Sequence, residues 1–187
     1  MALSIVVACG LPPTLEEDAM PAHFQRFLRA IETHDVEAAL ALLSEDFQLV
    51  FVEHGVTLDK SAMVDVLGWD RAVNGSLAFA DLQVSDRSVA GLFTERNDFL
   101  ELIGIPHLQA RVVYELGDGG LIERQTYEPL PRQPSIQAHL EPAIEWARAN
   151  RPAALEEVYP GEQMSFDEAS GRKWISLLEA WREAGDD

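Results

Sequence analysis

The sequence predicts an α+β protein: paired helices first, a run of antiparallel strands after them, and further helices at the end. Three observations predict it. Phe24, Phe27, Leu28 and Ile31 recur at i, i+3, i+4 and i+7, the apolar stripe of a helix. From Ser76 to Tyr127 the apolar period drops to two, the period of strands. After Pro129, Pro131 and Pro134, which offer no N–H to a ladder, the helical period returns in Trp174, Leu177, Leu178 and Trp181.

Each element has a local reason. Thr33-His34-Asp35 breaks the first helix, and the Asp35 carboxylate can cap the next, whose stripe is Val36, Ala39, Leu40, Leu42 and Leu43. Phe47, Leu49 and Phe51 then alternate as a strand. His54-Gly55 turns the chain, and Val56 to Leu58 is a short strand. Ser61 to Val73 reads as a helix capped by Asp59 or Ser61 and ended by Asn74-Gly75. Strands follow at Leu77–Val84, Val89–Glu95, Leu108–Leu116 and Leu121–Tyr127, the last two joined by the turn Gly117-Asp118-Gly119-Gly120. Phe99 to Ile105 is apolar and reads as a strand or a covering loop. In the final section Ser135 to Asn150 is a helix bent at Pro142, and Pro152 begins a short one. Ser165 and Glu168 form a capping box for the helix that carries Trp174.

Composition excludes several function classes. The chain has 187 residues, 47% of them hydrophobic and 25% charged, enough for one good core with an appendage. A net charge of −18 opposes contact with nucleic-acid phosphates or anionic lipid. No apolar run reaches the length of a membrane-spanning helix. The single cysteine, Cys9, permits no intrachain disulfide. Val6-Val7-Ala8-Cys9 looks like a lipoprotein signal site, and Met20 is an alternative start. The chain is therefore expected in the cytoplasm, or anchored through Cys9 if that signal is real. His54, His107 and His139 lack ligand spacing, so no metal is expected, and no cofactor-binding motif occurs.

FLRAIETHDVEAALALLSEDFQLVF and VVYELGDGGLIERQTYE carry a resemblance. The first resembles the opening helices and first strand of the NTF2-like superfamily, which includes SnoaL-like cyclases and ketosteroid isomerases. The second is similar to its final hairpin. The resemblance implies a cone, in which a curved antiparallel sheet wraps around the N-terminal helices and small apolar ligands sit inside. It covers residues 22–131. Residues 1–21 are then a flexible segment, and residues 132–187 a C-terminal helical extension packed on the domain. The tyrosine that the isomerases use on the first helix falls here on Phe27, and their basic aspartate on Phe51. The isomerase mechanism is therefore not expected.

The candidate residues follow from this alignment. Glu53 shares its strand face with Phe51 and is the candidate general base. Arg111 can face an anionic group, or lie on the outer face as a partner of Glu123. Tyr114 and Tyr127 bring an aromatic body with a polar tip, and Phe27, Phe51 and Trp69 complete the candidate ligand contacts. The expectation is a module binding a small apolar molecule or a protein partner in or near the cone. The alternative is a SnoaL-like cyclase, isomerase or dehydratase using Glu53 with Arg111 or Tyr127. A carboxylate and a donor converging in one apolar pocket would favour the enzyme, and a cone plugged by aromatics would not. Burying the face of the last helix would contribute roughly 1.5–3 kcal/mol per large side chain, so that helix should dock on its own domain. It would then cover part of the outer sheet face, leaving a monomer or an unusual homodimer.

Overall fold

The computed structural model describes residues 20–185, so the Cys9 reading and residues 1–19 of the expected flexible segment lie outside the described residues. Helix α1 (Ala22–Glu32) buries Phe24, Phe27 and Ala30. His34 turns the corner with φ +53, and Asp35 accepts from the Ala38 N–H at 3.0 Å to start α2 (Val36–Ala41). Strands β1 (Leu43–Phe51) and β2 (Val56–Asp59) form a hairpin. The Asp59 carboxylate accepts from the Ala62 N–H at 3.1 Å and opens the turn into α3 (Met63–Ala72). Strands β3 (Ser76–Val84), β4 (Ser88–Arg96), β5 (Leu108–Leu116) and β6 (Ile122–Pro129) follow, with a short helix, α4 (Asp98–Leu102), between β4 and β5.

The six strands form one sheet in the order β2-β1-β6-β5-β4-β3. Every pair is antiparallel except β1 with β6. Those two strands come from opposite ends of the domain, so no hairpin constrains their direction. Register places Val89, Gly91, Phe93 and Glu95 opposite Tyr114, Val112, Ala110 and Leu108, all on the face turned to α1 and α3. At Gly91 a Cβ would lie 2.8 Å from Leu82 Cδ2 and 3.0 Å from the Ala80 carbonyl. The register shift in β3 at this point, with Asp81 at φ +53, needs that empty space.

The C-terminal part is helical: α5 (Ile136–Asn150), α6 (Pro152–Val158), a 3-10 turn (Pro160–Glu162) and α7 (Glu168–Gly185). It builds a second apolar cluster in which Leu140, Ile144, Val158, Trp174 and Leu178 pack with Trp69, Val73, Phe99, Leu100 and Ile105. Helix α3 is thus shared, with Met63 and Leu67 facing the sheet and Trp69 and Val73 facing the extension.

Three local expectations change. Phe99 to Ile105 begins as a helix, because the Asn97 side chain caps it by accepting from the Leu100 N–H at 2.7 Å. Helix α7 is capped by Asp167, which accepts from Ser170 N–H at 2.9 Å while Ser170 Oγ accepts from Asp167 N–H at 3.0 Å. Glu168 instead pairs with Arg71 and Arg172. Finally, α7 docks on α3, α4, α5 and α6 rather than on the outer sheet face. The aromatic and aliphatic groups it needs are offered by helices, while the outer face carries Arg111, Glu115, Arg124 and Glu128 exposed.

Candidate functional site

The inside of the cone is built from aromatic rings. Phe24 and Phe27 on α1 press on Tyr114 with centroid separations of 4.8 and 5.9 Å. Tyr114 meets Phe79 at 6.3 Å, Phe79 meets Phe93 at 5.7 Å, Phe93 meets Tyr127 at 5.9 Å, and Tyr127 meets Phe51 at 5.5 Å. The chain of rings runs from the buried end, where Phe24, Phe27 and Tyr114 are fully enclosed, to a rim where Phe51 and Tyr127 are half-buried. Period-two register explains it: Tyr127 lies opposite both Phe51 and Val112, and Phe79 lies opposite Phe93.

Polar groups are set into this apolar wall. Asp70 lies one turn after Leu67 on the buried stripe Met63-Leu67-Asp70 of α3. The residue is partly buried and lines a narrow crevice. Among the described residues its carboxyl has no hydrogen-bond or ion-pair partner, and neither does the hydroxyl of Tyr114 or Tyr127. This crevice of about 10 Å³ lies against Asp70, between α3 and the α1–α2 corner, with His34 and Asp35 on its other side. That is room for about one water molecule. Glu95, at the end of β4, accepts from Asn97 Nδ2 at 2.7 Å.

The electrostatics follow from this enclosure. Burial pushes the Asp70 pKa up to about 8, and the nearby Glu95 charge adds to the shift. Burial also raises Glu95, against the opposing hydrogen bond from Asn97. The Tyr114 hydroxyl is raised by burial and by Asp70. Tyr127 is pushed up to about 12 by burial, then by Glu95, then by Glu53. Every charge acting on these four groups is an acid.

The structure brings Phe27, Phe51, Tyr114 and Tyr127 into one ring chain. Glu53 stands exposed at the rim, close enough for its charge to act on Tyr127. Trp69 is buried on the other side of α3, 5.5 Å from Phe99 and 5.0 Å from Phe166, outside the cone. Arg111 is exposed on the outer face opposite Glu128, not Glu123. Asp70 and Glu95 were missed, although both were signalled: an acid at i+7 of an apolar helical stripe, and an acid on the inward parity of a strand. Among the described residues no cluster of three or more His, Cys, Asp or Glu side chains is placed to hold a metal. Nor is any helix there long and apolar enough to cross a membrane.

No protein-family model matches the sequence, and no curated protein matches it. Solved structures do. An uncharacterised bacterial protein with a cystatin-like fold from Silicibacter pomeroyi superposes with a TM-score of 0.52 at 15% identity, over 76% of this chain and 96% of that one. An NTF2-like protein of unknown function from Cytophaga hutchinsonii superposes with a TM-score of 0.46 at 14% identity, over 59% of this chain and 88% of that one. A computationally designed 17-OHP binder gives 0.47 at 14% identity, over 58% and 88%. The architecture is the NTF2-like one: α+β, with a curved open sheet around the first helices and C-terminal helices added.

Proposed function

We propose that this NTF2-like chain is a binding module for a small, largely apolar molecule that enters at the rim of the cone, between Phe51 and Tyr127. One observation carries the reading. At the mouth of the ring chain Phe51 and Tyr127 stand 5.5 Å apart and half-buried, and the Tyr127 hydroxyl has no hydrogen-bond partner among the described residues. An accessible aromatic pair with an unpartnered polar tip suits a molecule with an apolar body and one polar group. The interior rings leave little empty volume, so the apolar body rests on the half-buried rings at the rim and only its polar end reaches inward.

A second reading is favoured by the two carboxylates whose charges act on Tyr127. In a SnoaL-like enzyme Glu53 would be the general base and Tyr127 the donor to a developing oxyanion. The two readings separate in one experiment. NMR titration of the full chain with benzyl alcohol should shift Phe51, Phe93 and Tyr127 signals saturably in the parent and in Glu53→Gln alike. Absence of any saturable shift overturns the binding reading. Turnover of a carbonyl compound that the parent supports and Glu53→Gln abolishes would replace it with the enzyme.

A further inference from the structure

The C-terminal extension holds a recess of about 280 Å³. One helical stripe makes its wall: Pro152, Leu155, Glu156 and Tyr159 recur at i, i+3, i+4 and i+7 along α6 and its C-cap. The wall grades from apolar to charged, since Leu155 is buried, Tyr159 half-buried and Glu156 exposed. Arg148 lines the recess from the last turns of α5, and the 3-10 turn lines it with Gly161 and Glu162. Those two residues stand at φ +58 and +64. A Cβ on Gly161 would meet nothing within 4 Å, so the left-handed backbone rather than packing calls for that glycine. The turn brings Glu162 to Arg148, whose guanidinium donates to it at 2.9 Å.

Arg148 and Glu156 line the same recess without pairing with each other. Arg148 is engaged by Glu162 and, at 3.6 Å, by Glu141, but a guanidinium has five N–H groups and donors remain. All three side chains are open to water, so these pairs are weak and an incoming carboxylate can displace them. The Glu156 carboxylate and the Tyr159 hydroxyl have no partner among the described residues. The recess therefore combines a cation, a separate anion and an apolar wall. A net charge of −18 opposes a simple anion, and it attracts a simple cation to the whole surface rather than to this place. A molecule with both charges and none in sum is subject to neither effect. It is held only where both complements occur together. The volume is close to the lower bound of ligand pockets, about 300 Å³, which suits a compact molecule.

We propose that this recess binds a free aliphatic α-amino acid, with its carboxylate on Arg148, its ammonium on Glu156 and Tyr159, and its side chain on Leu155 and Pro152. The site lies in the C-terminal extension, and it stands or falls independently of the reading given for the rim of the cone.

The test uses the full chain and three probes with one branched body: L-leucine, with both charges; L-leucinamide, with the ammonium alone; and 4-methylpentanoate, with the carboxylate alone. Affinities are measured by NMR titration at about pH 6.5, where the amine of leucinamide is protonated, following the Leu155, Tyr159 and Gly161 signals. Leucine should bind about threefold or more tighter than either analogue, the margin expected for one solvent-exposed charge pair. Glu156→Gln changes an exposed side chain and should leave the melting temperature in place. It should remove leucine's margin over 4-methylpentanoate and leave the affinity of 4-methylpentanoate unchanged. No saturable shift with any of the three probes overturns the proposal. So does leucinamide or 4-methylpentanoate binding as tightly as leucine, because one of the two charges is then unread. Leucine binding to Glu156→Gln as tightly as to the parent overturns the assignment of Glu156 and the proposal with it.

Discussion

An aspartic acid with a folded pKa of about 8 keeps its proton through neutral pH, so Asp70 is a hydrogen-bond donor where its residue type suggests an anion. Its ordinary value is 3.8. Between those values the folded state binds more protons than the unfolded state, so this group's contribution to stability falls as pH rises from about 4 to about 8. Each pKa unit corresponds to about 1.4 kcal/mol, so the ionised Asp70 costs the fold several such increments. Asp70→Asn should therefore melt at a higher temperature than the parent above pH 8, and near pH 4 the two should coincide. Thermal unfolding followed by circular dichroism across that range checks it. Parallel pH profiles for the two proteins would mean that the carboxyl is better solvated than its enclosure implies.

At the scale of elements, α3 and α7 approach each other closely at Gly171. A Cβ at Gly171 would lie 2.8 Å from Ala72 Cβ and 3.4 Å from Trp69 Cε3. Replacing glycine by alanine inside a helix gains up to about 1 kcal/mol of propensity. Overpacking a close helix contact costs about 1–3 kcal/mol, and here the neighbouring atom sits on a short, rigid side chain. The clash should win, and Gly171→Ala should lower the melting temperature. Gly185→Ala, at the end of the same helix with nothing within 4 Å, is the control and should be neutral or slightly stabilising. Trp174 shows why α7 tolerates no displacement: its ring is fully buried, 5.9 Å from Phe99 and 6.1 Å from Tyr159. Trp174→Ala should cost about 3–5 kcal/mol, measured by denaturant unfolding.

The whole molecule is two apolar clusters divided by one helix. The cone cluster and the extension cluster meet in α3, so neither face of that helix is free. Removing everything after Pro134 would strip the cover from Trp69, Val73, Phe99, Leu100 and Ile105, a contiguous apolar surface of the size that drives association. We expect the truncated chain to unfold or self-associate, as read by gel filtration and circular dichroism. A soluble, monomeric truncation product of unchanged stability would show that the extension is an appendage. The net charge of −18 bears on this outcome as well, since repulsion between acidic surfaces slows aggregation of the exposed patch, and added salt should accelerate it.

The sequence by itself determined what depends on local spacing. The stripe of α1, the Asp35 cap, the period-two strands and the Gly-rich turn before β6 are all short-range signals, and each is in place. The ring chain was half legible for the same reason, since strand parity put Phe51, Tyr114 and Tyr127 on inward positions. What only the tertiary structure decided depends on contacts between distant segments. The parallel pairing of β1 with β6 is one such contact. The helix at Asp98 is another: its buried Phe99 and Leu100 pack among residues of α3, α5 and α7, distant from it in sequence. Asp70 and Glu95 were visible as acids on apolar faces, but whether such an acid snorkels to water or stays enclosed depends on which wall closes over it. That wall is assembled from α1, α3 and strands far apart in the chain, and no local pattern specifies the solvent it leaves behind.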